Sequence, residues 1–564
     1  MMNIYDQKPW LKNYPPWISP NYEVPQENSI QILRQAVSRR GSQPAIYYFT
    51  RSISYEEVDK WSDNLAAALQ DMGLRKGERA AFYMQNIPQF VIAQYAVWKA
   101  GGIIVPLNPM FKEKELEYYF RDSGAKILIT LASTYEGVAK KVAEGMNIRP
   151  VITTSGLDFF PPAEPIPKVL QEEKSRKFPG TFDFLDLLKQ YAHRTPWPVQ
   201  VSPRESAYFT YTSGTTGPPK GAMNTHENIA FNAMLYTIFL KLNFQDVVLG
   251  VAPLFHVTGQ VAHLACAAYA GIPVVLFFRF DPEEALKLVE RWKATMTVGS
   301  ITVFISLMNH PDIKKRDFST MKKVCSGGAP VSPAIVENFE KTCGAYIHNI
   351  YGLTETNSPS HLTPLGTRLP VDPVTGALSV GLPVPNTVAK IMDLETGEKE
   401  LPPGEVGEIV VRGPMVIPGY WNKPEETAHA IRNGWLYTGD VGKMDENGWF
   451  YVVDRKKDLI IVSGYKVWPR DVEDVLYQHP AVKEAAVIGV PHAYRGETVK
   501  AFVAIKEGFE NKVTVENLIE FCKERMAAYK YPRILEIVPE IPKTVTGKFL
   551  RRALRQKEEG KKQG

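Results

Sequence analysis

The chain has 564 residues, too many for one compact core, so several domains are expected. Apolar residues make up 44% of it and charged residues 23%, as in ordinary soluble globular proteins, and a net charge of +5 is too small for this length to point to nucleic acid. Four cysteines (Cys266, Cys325, Cys343, Cys522) stand far apart with no CxxC spacing, which argues against a metal site or a disulfide framework and fits a reducing compartment such as the cytoplasm.

The first residues, MMNIYDQKPWLKNYPPW, lack a basic start followed by an apolar run and do not read as a signal peptide. Ser54 to Met72 reads as a helix. Ser54 and Glu57 form a capping box, Val58, Trp61, Leu65, Leu69 and Met72 share one face, and Gly73 ends it. Strands are expected at Arg79 to Met84, Ile103 to Leu107, Lys126 to Leu131 and near Val151 to Thr154, with helices at Gln89 to Ala100 and Glu113 to Arg121. This alternation implies a parallel sheet with crossover helices. Asp158 to Gly180, with FFPPAEPIP and a charged run, breaks the rhythm. It reads as a surface excursion ending in a short amphipathic helix, a place for peripheral membrane contact.

From Val201 to about Phe280, and again to Glu355, the α/β pattern resumes. Val247 to Phe278 is apolar and long enough for a bilayer, but Pro253, His256, Gln260, His263, Gly271 and Pro273 interrupt it, so a buried strand–loop–helix–strand is expected. Pro364 to Tyr451 is rich in Gly, Pro and short alternating runs and reads as a small β-rich subdomain. A small α+β unit follows, with helices at Asp471 to Tyr477 and Val515 to Met526 and strands at Val482 to Val490 and Val499 to Lys506. The final RQKEEGKKQG reads as a solvated tail.

The chemistry centres on Tyr211 to Gly221, YTSGTTGPPKG. Ser213, Gly214, Thr215, Thr216 and Gly217 form a loop without bulky side chains, so backbone N–H groups can close around an anion. The hydroxyls add donors and Lys220 adds a positive charge. No Gly-Lys-Ser/Thr follows the required gap, so this is not a Walker A loop. Further on, Tyr351 to Thr356 reads YGLTET. There Glu355 offers a carboxylate for Mg²⁺, Thr354 a hydroxyl for an α-phosphate and Tyr351 a flat ring for adenine. In SGGAP, after the strand Lys323 to Cys325, Gly327 and Gly328 permit close backbone approach to a ligand, beside Ala329.

These strings, in this order, resemble the adenylate-forming superfamily of acyl-CoA synthetases, luciferases and adenylation domains, from about Lys8 to Arg552. The segments GPMVIPGYWNKPEET, DRKKDLIIVSGYKVWPRDVE and PHAYRGETVKAFV are most similar to bacterial long-chain fatty-acid–CoA ligases. The resemblance implies an α/β fold. A large N-terminal domain (residues 1–455) of parallel α/β units plus a β-rich subdomain is followed by a hinge at 456–457. A small mobile α+β C-terminal domain (458–564, core about 472–548) completes the chain.

The resemblance also implies roles. ATP lies against Thr212 to Gly217, Lys220, the Gly327–Ala329 segment and Tyr351, with Thr215 and Glu355 at Mg²⁺. Asp440, in YTGD, takes the ribose hydroxyls, with Arg455 as basic partner. Lys457 is the hinge residue, and Gly464 lies beside the pantetheine channel of coenzyme A. Lys548 bridges carboxylate and α-phosphate, and His256 gates entry of the acid.

The expected reaction joins a carboxylic acid, most readily a medium- or long-chain fatty acid, to AMP and then to coenzyme A. An aryl acid such as benzoate or coumarate, or delivery to a separate carrier protein, are the alternatives. The largely apolar stretches Phe231 to His263 and Val298 to Met308 are the expected acyl pocket. The chain ends soon after the lysine motif, which favours free CoA, and it lacks a peroxisomal tripeptide. Monomer and homodimer both stay open.

Overall fold

The computed structural model describes residues 4–212, 218–455, 458–462, 465–492, 495–510, 512–543 and 549–560. Two seven-stranded sheets organise the larger part of the chain. In one, Arg79–Tyr83 pairs in parallel with Ile103–Leu107 and Ile127–Leu131, and the latter with Val151–Thr154. Ser206–Thr212 joins in parallel beside Ile103–Leu107, and Lys220–Thr225 turns back antiparallel at the edge. The crossover helix Pro88–Lys99 is buried on every face, as its nearly continuous apolar sequence requires. Helix Tyr55–Asp71 starts on the expected capping box: the Ser54 hydroxyl accepts from the Glu57 N–H, and the Glu57 carboxylate accepts from the Ser54 N–H.

The second sheet carries Ile347–Asn349, Lys323–Ser326, Met296–Gly299, Val248–Leu249, Val274–Leu276 and Pro44–Tyr48 in parallel, with Arg51–Ser54 antiparallel at its edge. The apolar run Val247 to Phe278 is the buried strand–loop–helix–strand that its interruptions imply. Its helical part opens with a π-helical stretch, Thr258–Ala265. The two sheets are stitched together beyond their strand ends. Asn86 and Phe278 exchange backbone hydrogen bonds, while the Asn86 side-chain amide donates to Ala252 O (3.0 Å) and its oxygen accepts from the Leu254 N–H (2.9 Å).

A five-stranded antiparallel sheet follows, built from Val388–Met392, Gly407–Arg412, Ile431–Arg432, Trp435–Met444 and Phe450–Arg455. After it, Ile460–Val462, Tyr465–Val467, Val482–His492, Gly496–Ile505 and Ile534–Ile537 form a separate five-stranded sheet with its own apolar core around Val472, Leu476, Val499 and Leu518.

Two expectations are corrected. Residues 158–180 do run largely over the surface, but they do not end in an amphipathic helix and their aromatics point inward. Phe159, Phe160, Val169 and Leu170 are buried in the main core, and of the large apolar side chains there only Ile166 is exposed. The stretch contains the short turn Lys168–Leu170, and the helix comes later, at Phe184–Gln190. Of the final stretch RQKEEGKKQG, the described residues 555–560 are not a loose tail but continue a helix. Arg551–Gly560 is a helix whose Leu554 is 2% exposed among Ile488, Phe502 and Ile541. Its charges are paired: Glu558 with Lys500 (2.7 Å), Lys557 with Glu536 (2.9 Å) and Arg555 with Asp458 (2.6 Å).

Candidate active site

Ser206–Thr212 and Lys220–Thr225 form a hairpin with Thr212 opposite Lys220. The connecting residues Ser213, Gly214, Thr215, Thr216 and Gly217 lie outside the described residues, as do Lys457, Gly464 and Lys548. The hairpin fixes what surrounds its tip. The Met223 N–H donates to Gly419 O (3.0 Å) and the Trp421 N–H to Gly221 O (2.8 Å), which lays residues 419–421 along the free edge of Lys220–Thr225. Tyr420 therefore stands between two expected site residues. Lys220 Nζ sits 4.7 Å from its ring centroid, and its hydroxyl donates to Glu355 Oε1 at 2.7 Å. Burial, and then the Glu355 charge, push the Tyr420 phenol far above its ordinary pKa, so it remains a donor.

The Tyr351–Thr356 turn is braced by asparagines. Asn224 donates to Thr354 O (3.0 Å), and Asn232 donates to Thr356 O (2.8 Å) and Asn357 O (2.7 Å). Close approach dictates Gly352, where a Cβ would lie 1.5 Å from Ser358 O. Tyr351 does not stand alone as a flat ring. Its hydroxyl donates to Asp440 Oδ2 at 2.8 Å, and Asp440 is 5% exposed. Asp440 faces Arg455 across adjacent antiparallel strands; the Arg455 side chain lies outside the described residues.

A cavity of about 700 Å³ is lined by Gly352, Leu353 and Thr354 of this turn and extends into the large part of the molecule. Thr354, Gly327 and Gly328 line one end. Its walls are the segments leaving the carboxyl ends of parallel strands: Gln85 and Asn86 after Arg79–Tyr83, Arg279 after Val274–Leu276, Ser300 after Met296–Gly299, and Ile350 after Ile347–Asn349. Open α/β sheets hold their ligands at that position. Half-buried His256 lines the same cavity, its Nδ1 accepting from the Thr258 N–H at 3.3 Å.

Of the expected acyl stretches, residues 251–253, 255–258 and most of 298–306 line the cavity, whereas Phe231, Tyr236 and Leu254 pack in the core instead. Ala329 is not part of the lining and packs half-buried against the main core. Arg279, which lies outside both expected stretches, also lines the cavity.

The unit that follows residue 458 also contributes. Lys483, Glu484, Glu540 and Lys543 line the cavity, and Lys543 Nζ pairs with Glu484 at 2.6 Å. Lys543 and Phe549 form a β-bridge, so the two ends of the segment that carries Lys548 meet at the cavity rim. Sequence reasoning missed Tyr420, Glu484 and Lys543. The GYW within GPMVIPGYWNKPEET was the available signal for the first, and the Lys of PKTVTGK for the last.

Among the described residues no group of three or more His, Cys, Asp or Glu side chains could hold a metal ion by itself. Glu355 beside a polyphosphate nevertheless suits Mg²⁺, which is commonly bound by one or two carboxylates plus phosphate oxygens.

Residues 33–421 match the family of AMP-binding enzymes, and residues 471–548 match the AMP-binding enzyme C-terminal domain. The chain is 39% identical to a long-chain-fatty-acid–CoA ligase of Bacillus subtilis (strain 168), over 98% of this chain and 99% of that one. It is 32% identical to a feruloyl-CoA synthase of an Amycolatopsis species, over 91% and 95%. The fold superposes on the crystal structure of an anthranilate CoA ligase in complex with anthranoyl-AMP with a TM-score of 0.86, at 26% identity and over 95% and 98% of the two chains. The fold and the site define an adenylate-forming enzyme, and the chain belongs to the AMP-binding enzyme superfamily. Its full-length relatives place it among the acyl-CoA synthetases of that superfamily.

Proposed function

We propose that the protein is an ATP-dependent ligase joining a medium- or long-chain fatty acid to coenzyme A. The observation that carries this reading is the cavity, which leads from Thr354 and Gly327 into walls formed in part by Val251, Phe255, Val257, Val298, Val303 and Ile305. Its volume lies in the range usual for small-molecule sites. The named activity of the Bacillus subtilis relative supports the fatty acid.

In the proposed first step a carboxylate oxygen attacks the α-phosphorus of ATP. The bond to pyrophosphate breaks and acyl-AMP forms. A carboxylate is already ionised at neutral pH, so the protein's task is to lessen charge repulsion and hold the line of attack. Lys220 and Lys548 supply cations, Thr354 a hydroxyl donor and the 213–217 loop its N–H groups. Glu355, with Thr215, would hold Mg²⁺, which when bound neutralises charge on the phosphates. Asp440 holds the ribose and the Gly327–Ala329 segment the adenine, while His256 guards the way to the acid. In the second step the CoA sulfur attacks the acyl carbon, the bond to AMP breaks and the thiol proton is lost. Rotation about residues 456–457, between units 1–455 and 458–564, brings Gly464 to the pantetheine.

The second reading is an aryl acid. It draws on the feruloyl and anthranilate relatives and on the polar lining residues Ser300, Ser306, Asn309 and His310. A panel of acids from acetate to oleate, plus benzoate and coumarate, with ATP, Mg²⁺ and CoA, separates the two. AMP and acyl-CoA rising together with long chains support the fatty acid. Turnover only with aryl acids discards it, and AMP without acyl-CoA points to a carrier protein.

A further inference from the structure

Arg470 occupies a position that local helix physics disfavours. It is the second residue of helix Pro469–Tyr477, where the helix dipole opposes a positive charge, yet it is only 2% exposed. Tertiary contacts hold it there. Its guanidinium donates to Val331 O at 3.2 Å and to Val452 O, and lies 3.4 Å from Asp474 Oδ2. Its backbone N–H donates to Asp454 Oδ2 at 3.1 Å.

Two of these acceptors lie in strand Phe450–Arg455, just ahead of residues 456–457. The third, Val331, follows the Ser326–Pro330 segment whose glycines line the cavity. Asp454 is also approached from the far end of the chain. Arg551 Nη1 is 3.5 Å from Asp454 Oδ1 and 3.4 Å from Asp458 Oδ2, while its Nη2 donates to both oxygens of Glu473 at 2.8 Å. Arg551 stands three residues beyond Lys548.

The buried contacts thus tie one wall of the cavity, the strand before 456–457 and the helix after Lys548 to a single side chain and its neighbour. We propose that Arg470 is a positioning residue for acyl-adenylate formation. By gripping Val331 O and Val452 O it sets the orientation in which the later unit, with its Lys483, Glu484 and Lys543, meets the cavity, and its grip must release before the thioester step. The assignment rests on the two-step ligase reading. It makes the contacts of Arg470 matter to the first half-reaction and leaves the second unhindered.

The test separates the half-reactions. In Arg470→Gln, acid-dependent exchange of pyrophosphate into ATP should fall roughly tenfold or more, the usual weight of hydrogen bonds from a charged donor. Acyl-CoA formation from supplied acyl-adenylate and CoA should stay unchanged or rise. Equal losses in both half-reactions, or none in either, overturn the assignment. If Arg470→Gln does not fold, Asp454→Ala must give the same split, because it removes the acceptor of the Arg470 N–H and the charge facing Arg551; without the split the assignment falls. Hydrogen exchange on the unliganded protein gives a readout independent of ligase chemistry. Residues 326–331 and 450–454 should exchange faster in the variant, and unchanged exchange overturns the grip. A wild-type chain inactive with every acid, but with this exchange response intact, overturns the ligase reading alone.

Discussion

Tyr420 shows how a residue with no proposed nucleotide chemistry of its own can set the behaviour of two residues proposed to have it. Its hydroxyl fills one oxygen of Glu355 and its ring carries Lys220, so it fixes both the carboxylate and the cation. Tyr420→Phe should raise the KM for Mg·ATP about tenfold, the weight of a hydrogen bond to a charged acceptor, while the KM for the acid stays nearly constant; steady-state kinetics in each substrate would check this. Gly352 is set by sterics alone. Gly352→Ala forces a Cβ into Ser358 O, and thermal unfolding should move down by several degrees or expression should fail. Glu355 and Lys220 could be named from the sequence because each sits in a compact string, and the structure brings both to Tyr420. Tyr420 was not, because its partner lies 65 residues away and only the pairing of residues 419–421 with the hairpin edge brings them together.

Regular elements were the most legible part of the fold. Buried parallel strands such as Ile103–Leu107 and Val151–Thr154 are short apolar runs set between helix signals, and they fall where those runs fall. Residues 158–180 misled because prolines and charges surround aromatics that are needed inside. Phe160 packs against Phe49 at 5.3 Å, a contact no local pattern announces. The helix Arg551–Gly560 misled for the opposite reason, since its charges look solvated until their partners on other elements are known. Deleting residues 551–560 should expose Ile488, Phe502 and Ile541 and strand Glu473, and the unit after 458 should lose protection in hydrogen exchange while the two large sheets keep theirs.

Helix Pro469–Tyr477 also carries a pH signature. Burial, opposed by Arg470 and reinforced by Glu473 and Asp471, raises the Asp474 pKa from 3.8 to about 7. Between those values the folded chain keeps a proton that the unfolded chain has lost, so this group lowers stability as pH rises from about 4 to 7, with a constant penalty above. Asp474→Asn should remove that slope. The Tm of the variant, relative to the natural chain, should climb across the window and level off beyond it.

At the scale of the whole molecule, the cavity is closed from two sides. Lys543 and Glu484 form part of the rim from the later unit, and the bridge from Lys543 to Phe549 holds the ends of the Lys548 segment there. Glu484→Gln should loosen that anchorage. Adenylate formation should fall about tenfold, with little change in thioester formation from supplied acyl-AMP, as single-turnover assays of each step would show. Removing the partner of a half-buried lysine should also cost some stability, which calorimetry would register as a lower Tm.

Much of the large cavity wall hangs from strand ends while the strands themselves run behind it, packed on both faces. Chemical preference is therefore set largely beyond the strand ends, with Val251, Val257, Val303 and Ile305 serving both the cavity and the core. Cavity-facing positions in residues 251–258, 279–280 and 309–311 can drift without asking the parallel sheets to repack, whereas helix Ile301–Met308 is seated in the core and is free to change only where it faces the cavity. A lineage built this way can change the acid it accepts by small edits at the loops. The same separation makes the protein a practical scaffold for laboratory redirection toward acids of new shape.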